Sequence, residues 1–436
     1  MRRLISTLVL LGVLGGLVAY IYFIDANRDP GAVDALPKAF EVTADNIEAL
    51  EIRNADGETV RLQKVNDAWQ LTEPVAADGD GGVVGTVTSG LAGLEVQRVV
   101  DENPADLAQY GLDPARIDVG FRLQGQPDFQ HLLVGEKTPT GGDLYAKRPD
   151  EDRVFLISSY LDSIFNKTPF DLRDKAILKF ERDSADAIEV TGGPTPLRLT
   201  REGTEWRLAE PIAARADYAA AEGLLTRLSS TQMERVVEQE AGDLAQYGLS
   251  QPVLTASVLS DSSKATLLLG RSDEMEVFAK DSNRTAVFTV EPAVLTDLQK
   301  DPSELRRKDL FDARSFTASR LELRRGDETV ALDKSGTGEE ETWRNAAGQE
   351  IELARAEDLM TKLANMRAQS FESGTHPSLN TPVLVVTIRF DESRTETITF
   401  GRSDDDAFAS RGDEPGTARI DASQLGEAIV ALDGLM

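Results

Sequence analysis

The stretch DLAQYGL occupies residues 106–112 and recurs unchanged at residues 243–249, a spacing of 137 residues. The three tryptophans of the chain, Trp69, Trp206 and Trp343, are also 137 residues apart. Seven identical residues in register with the tryptophan spacing indicate an internal duplication, and the third tryptophan extends it to three copies.

Further matches between the copies flank these landmarks. They are AWQLTEPVAA (68–77) with EWRLAEPIAA (205–214), QRVV (97–100) with ERVV (234–237), and the set LLVGEKT (132–138), LLLGRSD (267–273) and ITFGRSD (398–404). The third copy is more diverged, as the absence of DLAQYGL from it shows. We therefore divide the chain into an anchor (1–24), a linker (25–40) and three repeats (41–178, 179–311 and 312–436), each long enough for its own core.

The apolar pattern within a repeat predicts mixed secondary structure. Leu50 and Ile52 alternate with polar residues, as do the two strands that follow, which predicts a three-stranded meander. A helix with one apolar face comes next, and Asp80 and Asp217 stand where they could cap it in the first two repeats. Four more strands and a closing helix complete the pattern. The fold class is α+β, with three tandem repeats of a mainly antiparallel sheet with helices.

The recurrent aromatic residues are interpreted as a structural signature. Trp69, Trp206 and Trp343 could be platforms for carbohydrate stacking, but their identical position after alternating strand residues favours core packing. In DLAQYGL, Tyr110-Gly111 and Tyr247-Gly248 predict a helical turn that ends in a left-handed glycine, with each tyrosine packed against the protein.

Composition excludes several classes of function. The 436 residues include 75 acidic and 47 basic side chains, a formal net charge of −28, and no cysteine. The absence of cysteine rules out disulfides, thiol catalysis and thiolate metal sites. The acidic balance argues against nucleic acid as a partner, since phosphate binding needs clustered basic residues.

The N-terminus predicts a membrane anchor. Arg2 and Arg3 precede an uncharged stretch from Leu4 to Ile24, whose 21 residues are close to the roughly 20 that cross a bilayer. The positive-inside rule then places the N-terminus in the cytoplasm and the rest of the chain on the other side of the membrane. For a bacterial inner membrane, that side is the periplasm. A cleaved signal peptide is the alternative, although the apolar stretch exceeds a usual signal core and lacks a clear cleavage site.

No segment predicts a catalytic, cofactor or metal site. The acidic stretch at 78–82 lacks the ligand spacing of a calcium-binding EF-hand loop, so a helix cap is favoured. The segment 138–143 lacks the order of a phosphate-binding loop, so a strand connection is favoured. His131 and His376 are not at metal-ligand spacing. We expect no enzyme activity and no cofactor.

The chain resembles the DUF4340 family, a domain of unknown function. The resemblance rests on the apolar N-terminus, W-x-L-x-x-P, D-L-x-x-Y-G-L, L-L-x-G and TPTGGDLYAK (138–147), and it fades in the third repeat. It implies a membrane-anchored extracytoplasmic protein that accompanies the permease of an ABC transporter of the gliding-motility type. The family pattern describes no catalytic residues, so it implies none here.

Two functions follow as expectations. The first is an anchored interaction protein whose partners are integral-membrane transporter or envelope proteins, since repeated modules extend a surface more readily than they build one active site. The alternative is an extracytoplasmic ligand-binding protein or envelope-acting hydrolase with a site between repeats, where module interfaces form pockets.

Overall fold

Each predicted repeat forms one nine-stranded antiparallel sheet in the computed structural model. The structure describes residues 36–261, 263–272, 275–336, 341–391 and 393–435. The predicted anchor, with Arg2, Arg3 and the stretch from Leu4 to Ile24, lies outside the described residues. Within these ranges, no helix has both the length and the apolar character needed to cross a membrane. Three tandem antiparallel repeats with few helices are confirmed.

The three sheets share one strand order. In repeat 1 it is β4-β3-β2-β1-β6-β7-β8-β9-β5, and repeats 2 and 3 follow the same order with their own strands. The strands of repeat 1 are β1 (Ile47–Arg53), β2 (Thr59–Val65), β3 (Ala68–Glu73), β4 (Ala77–Asp78), β5 (Arg98–Asp101), β6 (Ile117–Leu123), β7 (Gln130–Lys137), β8 (Asp143–Lys147) and β9 (Val154–Ser158). The meander predicted at the start of the repeat is β1-β2-β3.

The other two sheets repeat this set. Repeat 2 contains β10 (Ala187–Thr191), β11 (Leu197–Glu202), β12 (Glu205–Glu210), β13 (Ala214–Arg215), β14 (Arg235–Glu238), β15 (Leu254–Ser260), β16 (Ser263–Ser272), β17 (Val277–Asp281) and β18 (Val287–Val290). Repeat 3 contains β19 (Ala318–Arg325), β20 (Glu328–Ser335), β21 (Thr342–Asn345), β22 (Glu350–Ile351), β23 (Ala368–Glu372), β24 (Leu384–Phe390), β25 (Arg394–Ser403), β26 (Asp406–Arg411) and β27 (Thr417–Ile420). The short fourth strand and the fifth strand, absent from the predicted pattern, form the two edges.

A long helix joins the two edges of every sheet, and a second helix follows the ninth strand. The helices are α1 (Gly81–Ala92), α2 (Leu161–Phe165), α3 (Tyr218–Ser230), α4 (Ala293–Leu298), α5 (Pro302–Leu305), α6 (Leu353–Ala364) and α7 (Ala422–Asp433). The predicted caps are present, since Asp80 accepts hydrogen bonds from the N–H groups of Gly82 and Val83, and Asp217 accepts one from Ala220. These bonds satisfy amides that a helix start leaves free.

Each core combines one face of the sheet with the apolar face of its long helix. In repeat 1, Ile52 and Val119 of the strands and Val84 and Leu91 of α1 belong to one buried cluster. Each such side chain contributes about 1.5–3 kcal/mol when fully buried. The alternation of buried and polar residues along the strands therefore sets which face of the sheet the helix covers.

An extended lead-in segment enters each repeat ahead of its first strand. It pairs with a residue two or three positions after the end of the long helix, through the bridges Lys38↔Glu95, Ala176↔Gln232 and Asp309↔Arg367. It then buries an apolar side chain, and Phe40 in repeat 1 packs edge-on against Phe121 at 4.9 Å between ring centroids. In repeat 3, Phe311 is fully buried in the core of the third sheet.

The shared glycine of the L-L-x-G segments is explained by a close approach of two backbones. The DLAQYGL stretch forms a 3-10 turn, at Ala245–Tyr247 in repeat 2, that ends at Gly248 with φ of +70°. This turn crosses the seventh strand of the repeat at Gly270. A Cβ on Gly270 would lie far inside van der Waals distance of the Tyr247 carbonyl oxygen, and a Cβ on Gly135 would meet Tyr110 in the same way.

We expect Gly270→Ala to lower the free energy of unfolding by about 2 kcal/mol, because the added methyl group forces a backbone carbonyl to move. Urea unfolding followed by tryptophan fluorescence measures the change. Gly223→Ala is the matched control, since a Cβ there meets no atom within 4 Å in the helix α3. That substitution should be neutral or stabilise the protein by about 0.5 kcal/mol. Equal effects of the two substitutions would contradict the explanation.

Candidate functional site

The three tryptophans lie in the third strand of their repeats. Trp206 and Trp343 are buried, at 2% and 1% exposed, whereas Trp69 is partly buried and packs against the core of repeat 1. The indole N–H of Trp206 donates to the Glu222 carboxylate at 3.0 Å. The two buried rings are therefore enclosed in the protein and present no stacking surface to a sugar.

Each tryptophan faces a basic residue on the neighbouring strand. The cross-strand pairs are Lys64↔Trp69, Arg201↔Trp206 and Lys334↔Trp343. The Arg201 guanidinium lies 5.6 Å from the Trp206 ring centroid, within the range of a cation–π contact. We did not predict this pairing, although a basic residue five positions before Trp69 and Trp206 was a usable signal.

Tyr247 ties the 3-10 turn of repeat 2 to two strands. Its hydroxyl donates to Glu238 at 2.9 Å, and its ring packs 5.2 Å from that of Phe278. The hydrogen bond to Glu238, together with burial, raises the pKa of the Tyr247 phenol above its ordinary value of 10. The hydroxyl is thus occupied in holding the turn.

Tyr110 makes the equivalent contacts in repeat 1. Its hydroxyl donates to Asp101 at 3.2 Å, and its ring lies 5.0 Å from that of Tyr145. The backbone at Gly111 is left-handed, with φ of +68°. Burial, then the bond to Asp101, raises the pKa of the Tyr110 phenol.

His376 takes the place of this tyrosine in repeat 3. Its ring stacks on Phe408, with centroids 3.7 Å apart and planes 10° apart, and its Nδ1 contacts the Ser378 hydroxyl at 2.9 Å. The other histidine, His131, contacts Asp118 at 2.9 Å across neighbouring strands. In the described part of the chain, no group of three or more histidine or acidic side chains is placed to hold a metal ion.

The densest group of buried charges lies where repeats 2 and 3 meet. We call it the junction cluster, and it consists of Arg215, Arg306, Asp312, Glu396, Arg411 and Glu414. Their side chains are at most 11% exposed. Charges withdrawn from water to this extent must be paired and hydrogen-bonded if the fold is to tolerate them.

Arg215 is the central cation of the junction cluster. It lies in the edge strand β13 of repeat 2 and reaches two acids from the side of repeat 3. Its Nη1 lies 2.6 Å from an Asp312 oxygen and its Nε lies 2.5 Å from a Glu414 oxygen. Its Nη2 donates to the Asp309 carbonyl at 2.8 Å. One side chain therefore links the second sheet to three residues beyond it.

Arg411 closes the repeat 3 side of the junction cluster. Its Nη1 donates to Glu396 at 2.8 Å and to the Leu310 carbonyl at 2.6 Å. Glu396 also accepts the backbone N–H groups of Asp312 and Ala313, each at 2.9 Å. The lead-in segment of repeat 3 is thus bound to its own sheet by charge-assisted hydrogen bonds, which are stronger than neutral ones.

The electrostatics of the junction cluster keep Asp312 and Arg411 ionised. Burial alone would raise the pKa of Asp312, but Arg215, Arg307 and Arg411 outweigh it and hold that pKa below its ordinary value. Burial would lower the pKa of Arg411, and its bonds to Asp413 and Glu396 raise it instead. The cavity inside the cluster measures about 20 Å³, enough for one water molecule. This arrangement fastens two repeats together and leaves no room for a substrate.

Two larger depressions lie on the second repeat. A groove of about 460 Å³ runs between α3 and the α4–α5 region, with Leu224 and Leu305 among apolar lining residues and Arg227, Lys300 and Glu304 among charged ones. A second depression of about 380 Å³ lies beside Trp206 and Tyr218. Both have room for a few side chains of another molecule.

We expect Arg215→Met to lower the free energy of unfolding of repeats 2 and 3 by about 3 kcal/mol, because two buried carboxylates lose their nearest cation. Chemical denaturation measures the change. Arg320→Met is the control, since Arg320 pairs with Asp333 at 2.7 Å on the exposed surface. Its cost should stay below about 1 kcal/mol. A comparable loss from both substitutions would contradict the assigned role of the junction cluster.

The lowered pKa of Asp312 predicts a pH dependence of stability. Its ionised form is the one that folding favours, so its contribution is complete above the ordinary aspartate pKa and disappears as the pH falls through the lowered value. Asp312→Asn should therefore destabilise the protein at pH 7 and matter progressively less below about pH 4. Denaturation of both forms across this range tests it, and a constant difference would contradict it.

Comparisons with known proteins identify one family. The family described as "Domain of unknown function (DUF4340)" matches residues 69–207 and 206–382. No curated protein matches the chain. Among solved structures, a DnaN sliding clamp (DNA polymerase III subunit beta) from Pseudomonas aeruginosa bound to griselimycin is similar at 9% identity, covering 88% of this chain and 94% of the clamp, with a TM-score of 0.15. That TM-score is too low to support an argument about fold or function.

The two family matches together span well over half of the chain and include Trp69, Trp206 and Trp343. The protein is therefore a member of the DUF4340 family.

Proposed function

We propose that this protein is a single-pass, membrane-anchored extracytoplasmic interaction protein, an auxiliary component of an ABC transporter or envelope complex. The apolar stretch from Leu4 to Ile24, preceded by Arg2 and Arg3, supports the anchor and its orientation. The net charge of −28 supports a soluble exterior that avoids anionic partners.

The junction cluster is the observation that carries the proposal. It commits six buried charged side chains to fastening repeat 3 to repeat 2, and Arg215 alone contacts Asp312 and Glu414. A catalytic acid is commonly a carboxyl with a raised pKa, whereas the pKa of Asp312 is lowered. A firmly joined pair of repeats is suited to presenting a fixed contact surface to another protein.

The same observation weighs against a hydrolase or ligand-binding site at this junction. Its cavity of about 20 Å³ is far smaller than the 300–1,000 Å³ of usual ligand pockets. The larger depressions belong to the surface of repeat 2, where a protein partner can reach them.

We expect the full chain, extracted in mild detergent, to copurify with integral-membrane proteins that include a transporter permease. A variant that lacks residues 1–24 but carries a secretory signal should reach the same compartment and lose most of this association. Affinity purification with mass spectrometry measures both. Protease added to intact spheroplasts should degrade the C-terminal repeats. A chain that purifies alone, or is protected from the protease, would refute the proposal.

A further inference from the structure

The connecting segment that leaves repeat 2 closes the edge of its sheet. After α5 the chain runs beside the end of β13, and Ala216 pairs with Arg306. The Asp217 N–H donates to the Leu305 carbonyl at 2.8 Å, and the Arg307 N–H donates to the Arg215 carbonyl at 2.9 Å. Two backbone groups that would otherwise be free at the edge are thereby bonded.

Repeat 1 closes its edge with the same two bonds. Gly79 pairs with Arg173, the Asp80 N–H donates to the Leu172 carbonyl at 2.8 Å, and the Asp174 N–H donates to the Asp78 carbonyl at 2.9 Å. The closing segment is a Leu-Arg pair in both repeats, and the leucine is fully buried each time, at 0% for Leu172 and 1% for Leu305. An extended segment with leucine followed by arginine therefore closes the edge in both repeats.

Among the residues that the structure describes, no segment closes the equivalent edge of repeat 3. The cross-strand pairs Trp343↔Ile351 and Arg344↔Glu350 place Glu350 where repeat 2 has Arg215. The helix α6 follows Glu352 as α3 follows Asp217. Across the described ranges, no backbone group is bonded to the Glu352 N–H, and no bridge is formed on the outer side of residues 350–352. Both glutamates are exposed.

The charges at this open edge favour a basic occupant. Glu350 and Glu352 flank the position that faces an arginine in the other two repeats. The Glu350 carboxylate has only a long contact with Arg344, at 3.7 Å on the exposed surface, so it is available to a second cation. The net charge of the chain also attracts basic segments and repels acidic ones.

We propose that residues 350–352 of repeat 3 bind an extended Leu-Arg segment of a partner protein, which adds a strand to the sheet as the connecting segments do in repeats 1 and 2. The Glu352 N–H and the Glu350 carbonyl supply the two backbone hydrogen bonds, and the Glu350 side chain receives the arginine, since the Glu352 carboxylate is paired with Arg355 at 2.9 Å. This inference rests on the proposed function and adds the chemistry of the partner.

The probe is a fluorescein-labelled peptide with the sequence of residues 304–311, ELRRKDLF, and binding to the purified full chain in detergent is followed by fluorescence anisotropy. Glu352→Pro removes the N–H donor, and the φ of −54° at Glu352 already suits proline. We expect this variant to bind the peptide about fivefold to tenfold more weakly, the loss of one net hydrogen bond.

Leu353→Pro is the matched control. It places proline at the first residue of α6, where helices tolerate it, and leaves the Glu352 N–H intact. Its peptide affinity should equal that of the unmodified chain. A second control, Glu352→Ala, keeps the N–H and removes one negative charge. It should bind more weakly than the unmodified chain at low salt, and the difference should shrink at high salt, where charge contributes little.

Three results would overturn the inference: no binding by the unmodified chain, equal affinity in Glu352→Pro, or equal loss in Leu353→Pro. Analytical sedimentation of the purified chain tests whether a second copy of this chain binds the edge instead of a partner protein. Self-association that disappears in Glu352→Pro would assign the edge to that second copy. Copurification with membrane proteins by an unmodified chain that does not bind the peptide would remove this inference and leave the proposed function standing.

Discussion

The charge of a buried guanidinium must be balanced by carboxylates that are held at fixed positions. For Arg215 these carboxylates belong to repeat 3, so the position of repeat 3 is constrained by this side chain. Its nitrogens contact Asp312 and Glu414, which come from the lead-in segment and the β26–β27 turn of repeat 3. Removing either acid would leave the buried arginine with one carboxylate fewer, which costs more than the loss of an exposed pair. The placement of the third sheet against the second therefore depends on these buried ion pairs.

Within a repeat, a different constraint operates. The 3-10 turn has to cross the sheet at a glycine, and an aromatic side chain beside the crossing holds the turn in place. Tyrosine does this in repeats 1 and 2 by a tilted ring contact and by a hydrogen bond to a carboxylate, and His376 does it in repeat 3 by stacking on Phe408. The turn can lose its DLAQYGL sequence because the geometry needs only a flat ring and a strand without a Cβ, as at Gly401.

Much of the repeat could be predicted because its signals are local. Alternation at Leu50 and Ile52, the caps at Asp80 and Asp217 and the left-handed Gly111 each depend on neighbours within a few residues. The two-residue strand β4 carries too few residues to show a period. The junction cluster joins Arg215 to Glu414, which is 199 residues away. The residue of repeat 1 that is equivalent to Arg215 is Asp78, so the duplication did not indicate the cluster. Among 75 acidic residues, the few that are buried could not be recognised without the fold.

The connecting segment from Leu305 to Phe311 is bonded along its length, first to one sheet and then to the next. The Arg307 N–H, the Lys308 carbonyl and the Leu310 N–H all have backbone partners. Proteases cut segments that can detach and enter a narrow cleft, so the basic residues of this stretch are poor sites for trypsin despite their sequence. We therefore expect limited digestion not to cut the native protein in this segment, so that it would not reveal the boundary between repeats 2 and 3.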